Sequence, residues 1–382
     1  MISFLTLLSR ILGLVRDMCC SHAFGLGGVW SAFALAFQVP NLFRRLFGEG
    51  ALSAASIPVL TETLTRNGHT AVDALVGRLV GMLLAILVTV CVVAEIVVAG
   101  LFLYYRSVDD TALTLTLAGL LLPYLIFICT VAILGGVQNV FGRFALPAAM
   151  PIILNVFMIT AALGGKWIVP GGHRKEIVLL AAAVIVAGMV QLVWQWFAVR
   201  RCGLRMRLSL EVNDPAIRRI AITMLPMVAG LGAVQINTLL DALIAWWFVK
   251  EQIDPAGGLE RVGPGVLYYA QRLYQFPLGV FAIALATAIF PALSRHSAED
   301  DMPGLGQTLS RGIGVATFEG LPCLVGLILI RKPLVAVLLN RGEFAEWDAG
   351  VDRVSLALFM YALGIWAYAV NHLVVRAFYA LH

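Results

Sequence analysis

Three arginines stand in stretches that are otherwise apolar. Arg16 and Asp17 end SRILGLVRD, Arg44 lies in PNLFRRLFGEG, and Arg272 lies in YYAQRLYQFP. A guanidinium at the centre of a membrane helix costs about 2.5–3.5 kcal/mol on insertion scales, so each one needs a reason. Arginine stays charged and meets phosphate oxygens in a bidentate fork. If the three converge, they make a cationic cavity for an anionic, phosphate-bearing substrate. Among lipid-facing helices, an amphiphile with a phosphorylated head fits. Arg10 and Arg16 are six residues apart, about 120° around a helix, so at least one of them must face protein or water. Asp17 adjoins Arg16 and partly neutralises it.

Other readings account for some of these charges. Arg44 and Arg45 also suit a helix end with arginines snorkelling to the interface, with Glu49 four residues on from Arg45. Arg272 sits among Tyr268, Tyr269 and Tyr274, as an interfacial arginine in an aromatic belt would. Asp241 lies deep in QINTLLDALIAWW, with Gln235 and Asn237 nearby. An intramembrane carboxylate usually marks an ion or proton site, and a neutral, hydrogen-bonded aspartic acid is the alternative. Glu95 and Glu319 are isolated. Membrane-face chemistry on polyprenyl phosphates would want clustered Asp, His or Ser, and the histidines are scattered. The chain is therefore not expected to be an enzyme.

The elements that must position these residues follow from composition. The chain has 382 residues, 60% hydrophobic and 13% charged. Its mean hydropathy is +0.91. An average soluble domain is about 45–50% apolar and about 25% charged, so a soluble globular enzyme is excluded. Long continuous apolar runs indicate an all-α integral membrane protein rather than a β-barrel. Ten segments read as spans: 3–24, 28–47, 78–105, 111–141, 144–165, 177–199, 217–248, 265–293, 311–339 and 353–380. The net charge of +5 comes mostly from basic residues between apolar runs, which points to membrane topology and not to nucleic acid. Arg200, Arg201, Arg205, Arg207, Arg218 and Arg219, between the sixth and seventh segments, dominate the bias and place the N-terminus in the cytoplasm. The six cysteines form no C-x-x-C pair and read as packing residues.

Segment 202–216 reads as a cytoplasmic linker between an N-terminal six-helix lobe, 1–201, and a C-terminal lobe of about four helices, 217–382. FQVP (37–40) leading to IPVLTE (57–62) and YQFP (274–277) leading to FPALSR (290–295) suggest a faint internal repeat. Matched bundles are the mark of secondary transporters.

The motifs SRILGLVRD (9–17), AFALAFQVPNLFRRLFGEGALSAASIPVL (32–60), LGGVQNVFGRFALPAAMPIILN (134–155), YYAQRLYQFPLGVFAIALATAIFPALSR (268–295), EGLPCLVGLILIRKPLVAVLLNRGEF (319–344) and YALGIWAYAVNHLVVRAFYAL (361–381) resemble the MurJ/MviN family of lipid II flippases. This family lies within the multidrug/oligosaccharidyl-lipid/polysaccharide exporter superfamily. The resemblance implies a two-lobed transporter working by alternating access. It would carry undecaprenyl-diphosphate-linked muropeptide from the cytoplasmic to the outer leaflet of the bacterial cytoplasmic membrane, for peptidoglycan and cell wall biogenesis. It implies that Arg10, Arg16, Asp17, Arg44 and Arg272 bind the diphosphate-sugar head. It also implies that Asp241 belongs to a sodium site, with coupling to sodium or protons and no other cofactor.

Three departures from the family pattern stand out. Trp30-Ser31 replaces a Thr-Asp pair, Gln271 replaces an acidic residue, and the loop 249–264 is long. The family continues through about four more helices beyond RAFYAL. The resemblance therefore implies a complete first lobe, an incomplete second lobe and an incomplete Asp241 site. The expectation is a truncated gene product, a split protein completed by a second chain, or a deliberately shortened chain. Alternative functions are export of another lipid-linked oligosaccharide or of a drug, and an inactive membrane scaffold.

Overall fold

The computed structural model describes every residue except 1, 46–50, 212–213, 250–251, 254–258, 348 and 382. Glu49 and parts of the loop 249–264 lie outside the described residues. The helices run in order α1 (Ile2–Phe24), α2 (Gly28–Phe43), α3 (Ala51–Tyr105), α4 (Asp109–Leu121), α5 (Tyr124–Val140), α6 (Ala145–Ile168) and α7 (His173–Arg200). They continue as α8 (Pro215–Phe248), α9 (Gly263–Val280), α10 (Ala282–Ala298), α11 (Met302–Leu339), α12 (Gly350–Leu363) and α13 (Ile365–Ala380). Among the described residues the regular elements are helices, apart from a two-residue antiparallel hairpin that pairs Gln252 with Glu260 and Ile253 with Leu259.

Among the described residues thirteen helices stand where ten segments were expected, because three segments are broken. Pro123, which has no N–H to donate, separates α4 from α5. Pairs α9–α10 and α12–α13 bend by 44° and 43°. Among the described residues, five helices are long and apolar enough to cross a membrane, or seven if each bent pair is one span. Helix α3 begins well before the expected 78. Its polar first part is helical too, with Thr61, Thr63 and Thr65 donating back to carbonyls four residues earlier. Gly68, at φ 78°, breaks it from the apolar part. Beyond the break, Ile86, Val92, Val93, Ile96 and Val97 are all exposed, an apolar face of the kind that lipid covers.

Two compact units divide the chain after Gly265. In the first, α6 packs against α1 and α7, α5 against α3 and α7, and α2 against α4. In the second, α11 packs against α10, α12 and α13 around Leu278, Ala282, Ala286, Ala316, Ala369 and Leu373. Segment 202–216 ties α8 to α3. The Arg205 and Met206 amides both donate to Asp73 Oδ1 at 2.8 Å. Ser209 N–H donates to the Gly77 carbonyl at 3.4 Å. A Cβ at Gly77 would lie 2.2 Å from the Arg207 carbonyl oxygen, and one at Gly81 2.5 Å from that of Ser209. Two extended residues span about 6.6 Å and four helical residues about 6.0 Å, so the strap and the Gly-x-x-x-Gly groove share a register. Arg78 closes the strap with Glu211 at 2.7 Å and Asp214 at 2.5 Å. Asp214 also caps α8 by accepting from the Ala216 amide at 2.8 Å.

Candidate substrate-binding site

Arg16 and Asp17 are buried together on the inner face of α1, at 6% and 4% exposure. Arg16 turns its Nε and Nη2 to Asp17 Oδ1 at 3.0 and 2.7 Å, and donates from Nη1 to Asn155 Oδ1 at 3.0 Å. Asn155, buried on α6, returns a bond to the Ser9 carbonyl at 3.1 Å. The charge is thus taken out of water with a counter-ion and a fixed amide partner, the condition for a buried ion pair to persist. Arg10, on the same helix, is exposed and has no ion pair among the described residues. The wheel argument holds for this pair: Arg16 is the one that faces protein.

Arg44 follows α2, whose Pro40 breaks the backbone donor ladder. Residues 44–45 continue it as a wider, π-type turn, a feature frequent at functional sites. The half-buried guanidinium folds back, with Nε and Nη2 donating to Asn41 Oδ1 at 3.1 and 3.0 Å. On the same helix, Trp30, Phe33 and Phe37 stack in sequence with centroids 5.5 Å apart, and Phe37 meets Tyr124 of α5 at 6.4 Å. Arg44 shares with Phe37 and Asn41 the stripe of α2 that turns to Tyr124. Asn41, Tyr124 and Asn155 were not singled out from the sequence. Polar side chains within apolar runs were the available signal.

At the other end of α2, the long loop reaches back. Glu260 Oε2 accepts the Gly28 amide at 2.6 Å, placing negative charge at the positive end of the helix. Ser31 Oγ accepts the Gly265 amide at 3.2 Å. Trp30, fully buried, stacks on Phe24 at 6.1 Å. Trp30-Ser31 therefore serves packing and loop docking where the resemblance led one to expect an acidic residue.

Asp241 is half-buried on α8, with no hydrogen bond or ion pair among the described residues. Asn237 lies one turn before it. No group of three or more His, Cys, Asp or Glu side chains assembles among the described residues. One carboxylate and one neighbouring amide suit a monovalent cation or a proton better than a divalent metal with several charged ligands. Arg272 belongs to the second unit, on α9, where its guanidinium lies 5.0 Å over the Tyr268 ring. Gln271 donates to the Tyr361 hydroxyl at 2.9 Å and so ties α9 to α12. All six cysteines are free thiols.

Comparison with known proteins gives this site its context. The family profile described as "Lipid II flippase MurJ" matches residues 20–382. The chain is 35% identical to the probable lipid II flippase MurJ of Vibrio cholerae serotype O1, over 99% of this chain and 71% of that protein. It is 31% identical to the lipid II flippase MurJ of Burkholderia cenocepacia, over 99% of this chain and 72% of the relative. Among solved structures, a lipid II flippase MurJ in an inward closed conformation superposes with a TM-score of 0.76 at 21% identity, covering 100% of this chain and 76% of that one. An inward-facing multidrug resistance MATE family transporter gives 0.71 at 16% identity, covering 98% and 82%. These two likenesses establish the fold, which flippases and drug transporters share. The profile match and the curated relatives decide between them, and the chain belongs to the lipid II flippase MurJ family.

Proposed function

We propose that this chain flips lipid II, the undecaprenyl-diphosphate-linked muropeptide, across the bacterial cytoplasmic membrane for peptidoglycan biosynthesis. Family membership is the observation that carries this reading. It is a transporter, multi-pass among membrane lipids, with the N-terminus cytoplasmic. The two lobes rock in alternating access around a cationic cavity. Arg16 and Arg44 contribute its charge from the first lobe and Arg272 from the second, and Arg10 meets the head group at the cavity mouth.

The network at α1 supports this division of labour. Arg16 is committed to Asp17 and Asn155, so it acts on a diphosphate mainly through its field and the fixed shape of the wall. Arg44, half-buried and donating to the neutral Asn41 amide, presents its charge to an incoming phosphate. Asp241, with Asn237, holds the coupling sodium ion or proton. A bound cation would supply the charge that lets the membrane potential act, worth about 2.3 kcal/mol per charge at 100 mV.

The test is complementation in bacteria depleted of their own lipid II flippase. Rescue by the parent chain and its loss in Arg44→Ala and Arg272→Ala is the expected result. Rescue by both variants at parental protein levels refutes the cationic cavity. Failure of a well-expressed parent, with restored growth when a second polypeptide is supplied, shows that a partner chain is required.

A further inference from the structure

Tyr124 is fully buried, and its hydroxyl has no hydrogen-bond partner among the described residues. Buried polar groups are nearly always paired, and within a bilayer no water is at hand to substitute. The ring cannot turn away to find a partner. Gly188 of α7 packs flat against it, so close that a Cβ there would lie 2.8 Å from Cδ2 and 2.9 Å from Cε2. Phe37 holds it from α2.

What surrounds the hydroxyl narrows the chemistry of its partner. Phe37, Asn41 and Arg44 recur at i, i+4 and i+7 and so form one stripe of α2. The stripe that turns Phe37 to Tyr124 is the stripe on which Arg44 folds back over Asn41. Arg16, buried on α1, carries a second cation of this unit. Guanidinium groups carry donors only, so neither arginine can accept the tyrosine proton. Two cations and an idle O–H donor together suit an anionic acceptor with several oxygens.

We propose that Tyr124 is a substrate-binding residue whose hydroxyl donates to a phosphate oxygen of the diphosphate that Arg16 and Arg44 attract. The proposal rests on the lipid II reading above and deepens it. Its hydroxyl remains protonated throughout, and no bond other than the hydrogen bond forms or breaks.

The test is Tyr124→Phe in the full chain, purified in detergent and titrated with lipid II and with undecaprenol, which lacks the diphosphate. A hydrogen bond to a charged group is of a size to change affinity about tenfold. Lipid II is expected to bind about tenfold more weakly, undecaprenol equally, and the melting temperature to stay level or rise because an unpaired buried hydroxyl is gone. Gly188→Ala keeps the hydroxyl but displaces the ring, and is expected to weaken lipid II binding as well. Unchanged lipid II affinity in Tyr124→Phe overturns the proposal, as does an equal loss for undecaprenol. If Arg44→Ala also leaves lipid II affinity unchanged, the lipid II reading itself has failed, which separates the two.

Discussion

Arg16 donates to Asn155 at 3.0 Å across 139 positions of sequence, and this bond joins α1 to α6 at the point where a charge is buried. Asn155→Leu removes the amide acceptor of Nη1 and leaves a buried guanidinium less well paired. A loss of about 2–3 kcal/mol is expected, read as a lower melting temperature in detergent. Asn155→Asp keeps an acceptor and is expected to recover part of the loss. Equal melting temperatures for the parent and the Leu variant would remove the node's structural role.

The strap depends on two glycines. Gly77→Val and Gly81→Val set a side chain against backbone carbonyls of Arg207 and Ser209 that have nowhere to go. Both are expected to release segment 202–211 to limited proteolysis and to lower complementation. Gly100→Val is the control, since nothing lies within 4 Å of its added carbon. A Gly77→Val protein as protease-resistant as the control would show the strap to be dispensable.

Glu260 tests the loop's grip on α2. Glu260→Gln preserves an acceptor for the Gly28 amide but discards the charge at the helix N-terminus, an interaction worth about 0.3–1 kcal/mol. A small drop in melting temperature is expected, screened by added salt in the parent and insensitive to it in the variant. A salt-independent parent would assign Glu260's contribution to the hydrogen bond alone.

Asp301 carries a pH prediction. It accepts the Gly304 amide at 2.9 Å as the cap of α11, and this bond, helped by His296 at 2.9 Å, holds its carboxyl below the usual carboxylate range. A lowered folded-state pKa means the cap's contribution is full above the unfolded value and is lost as pH falls through the folded one. Amide exchange in the first turn of α11 is therefore expected to stay protected down through pH 4 and to open below it. Asp301→Ala should show the open rate at every pH.

Asp241→Asn removes an ionisable group that has no partner among the described residues. Thermal stability is expected to hold or rise while complementation is lost, because the coupling site proposed for Asp241 could then no longer take up a cation or proton. Full rescue by this variant would remove Asp241 from coupling.

Much of this was legible beforehand, for definite reasons. Burying twenty or so apolar residues per segment leaves a chain no option but helices in lipid. A charged residue in such a segment needs protein or water to face, so Arg16 and Asp17 could be marked as site candidates, and a wheel of about 100° per residue showed that Arg10 and Arg16 cannot both face lipid. Motif likeness over nearly the whole chain identified the family. Breaks were harder to place. Pro123, Pro277 and Gly364 were visible, but whether a proline bends a helix slightly or divides it depends on what packs across the gap.

Sequence alone therefore determined the solvent, the helical class and which residues were too polar to face lipid. It could say that Arg16 needs a partner but not that the partner is Asn155, nor that a loop 232 residues on supplies Glu260 to Gly28. Gly77 and Gly81 form a small-residue pair of the kind that most often receives another helix, and only the folded chain shows an extended strap lying there. The reason is the same in each case. Periodicity reports which face of an element is buried, because that depends on local spacing. The identity of the group that meets the face is set by how distant elements pack, and no local spacing records it.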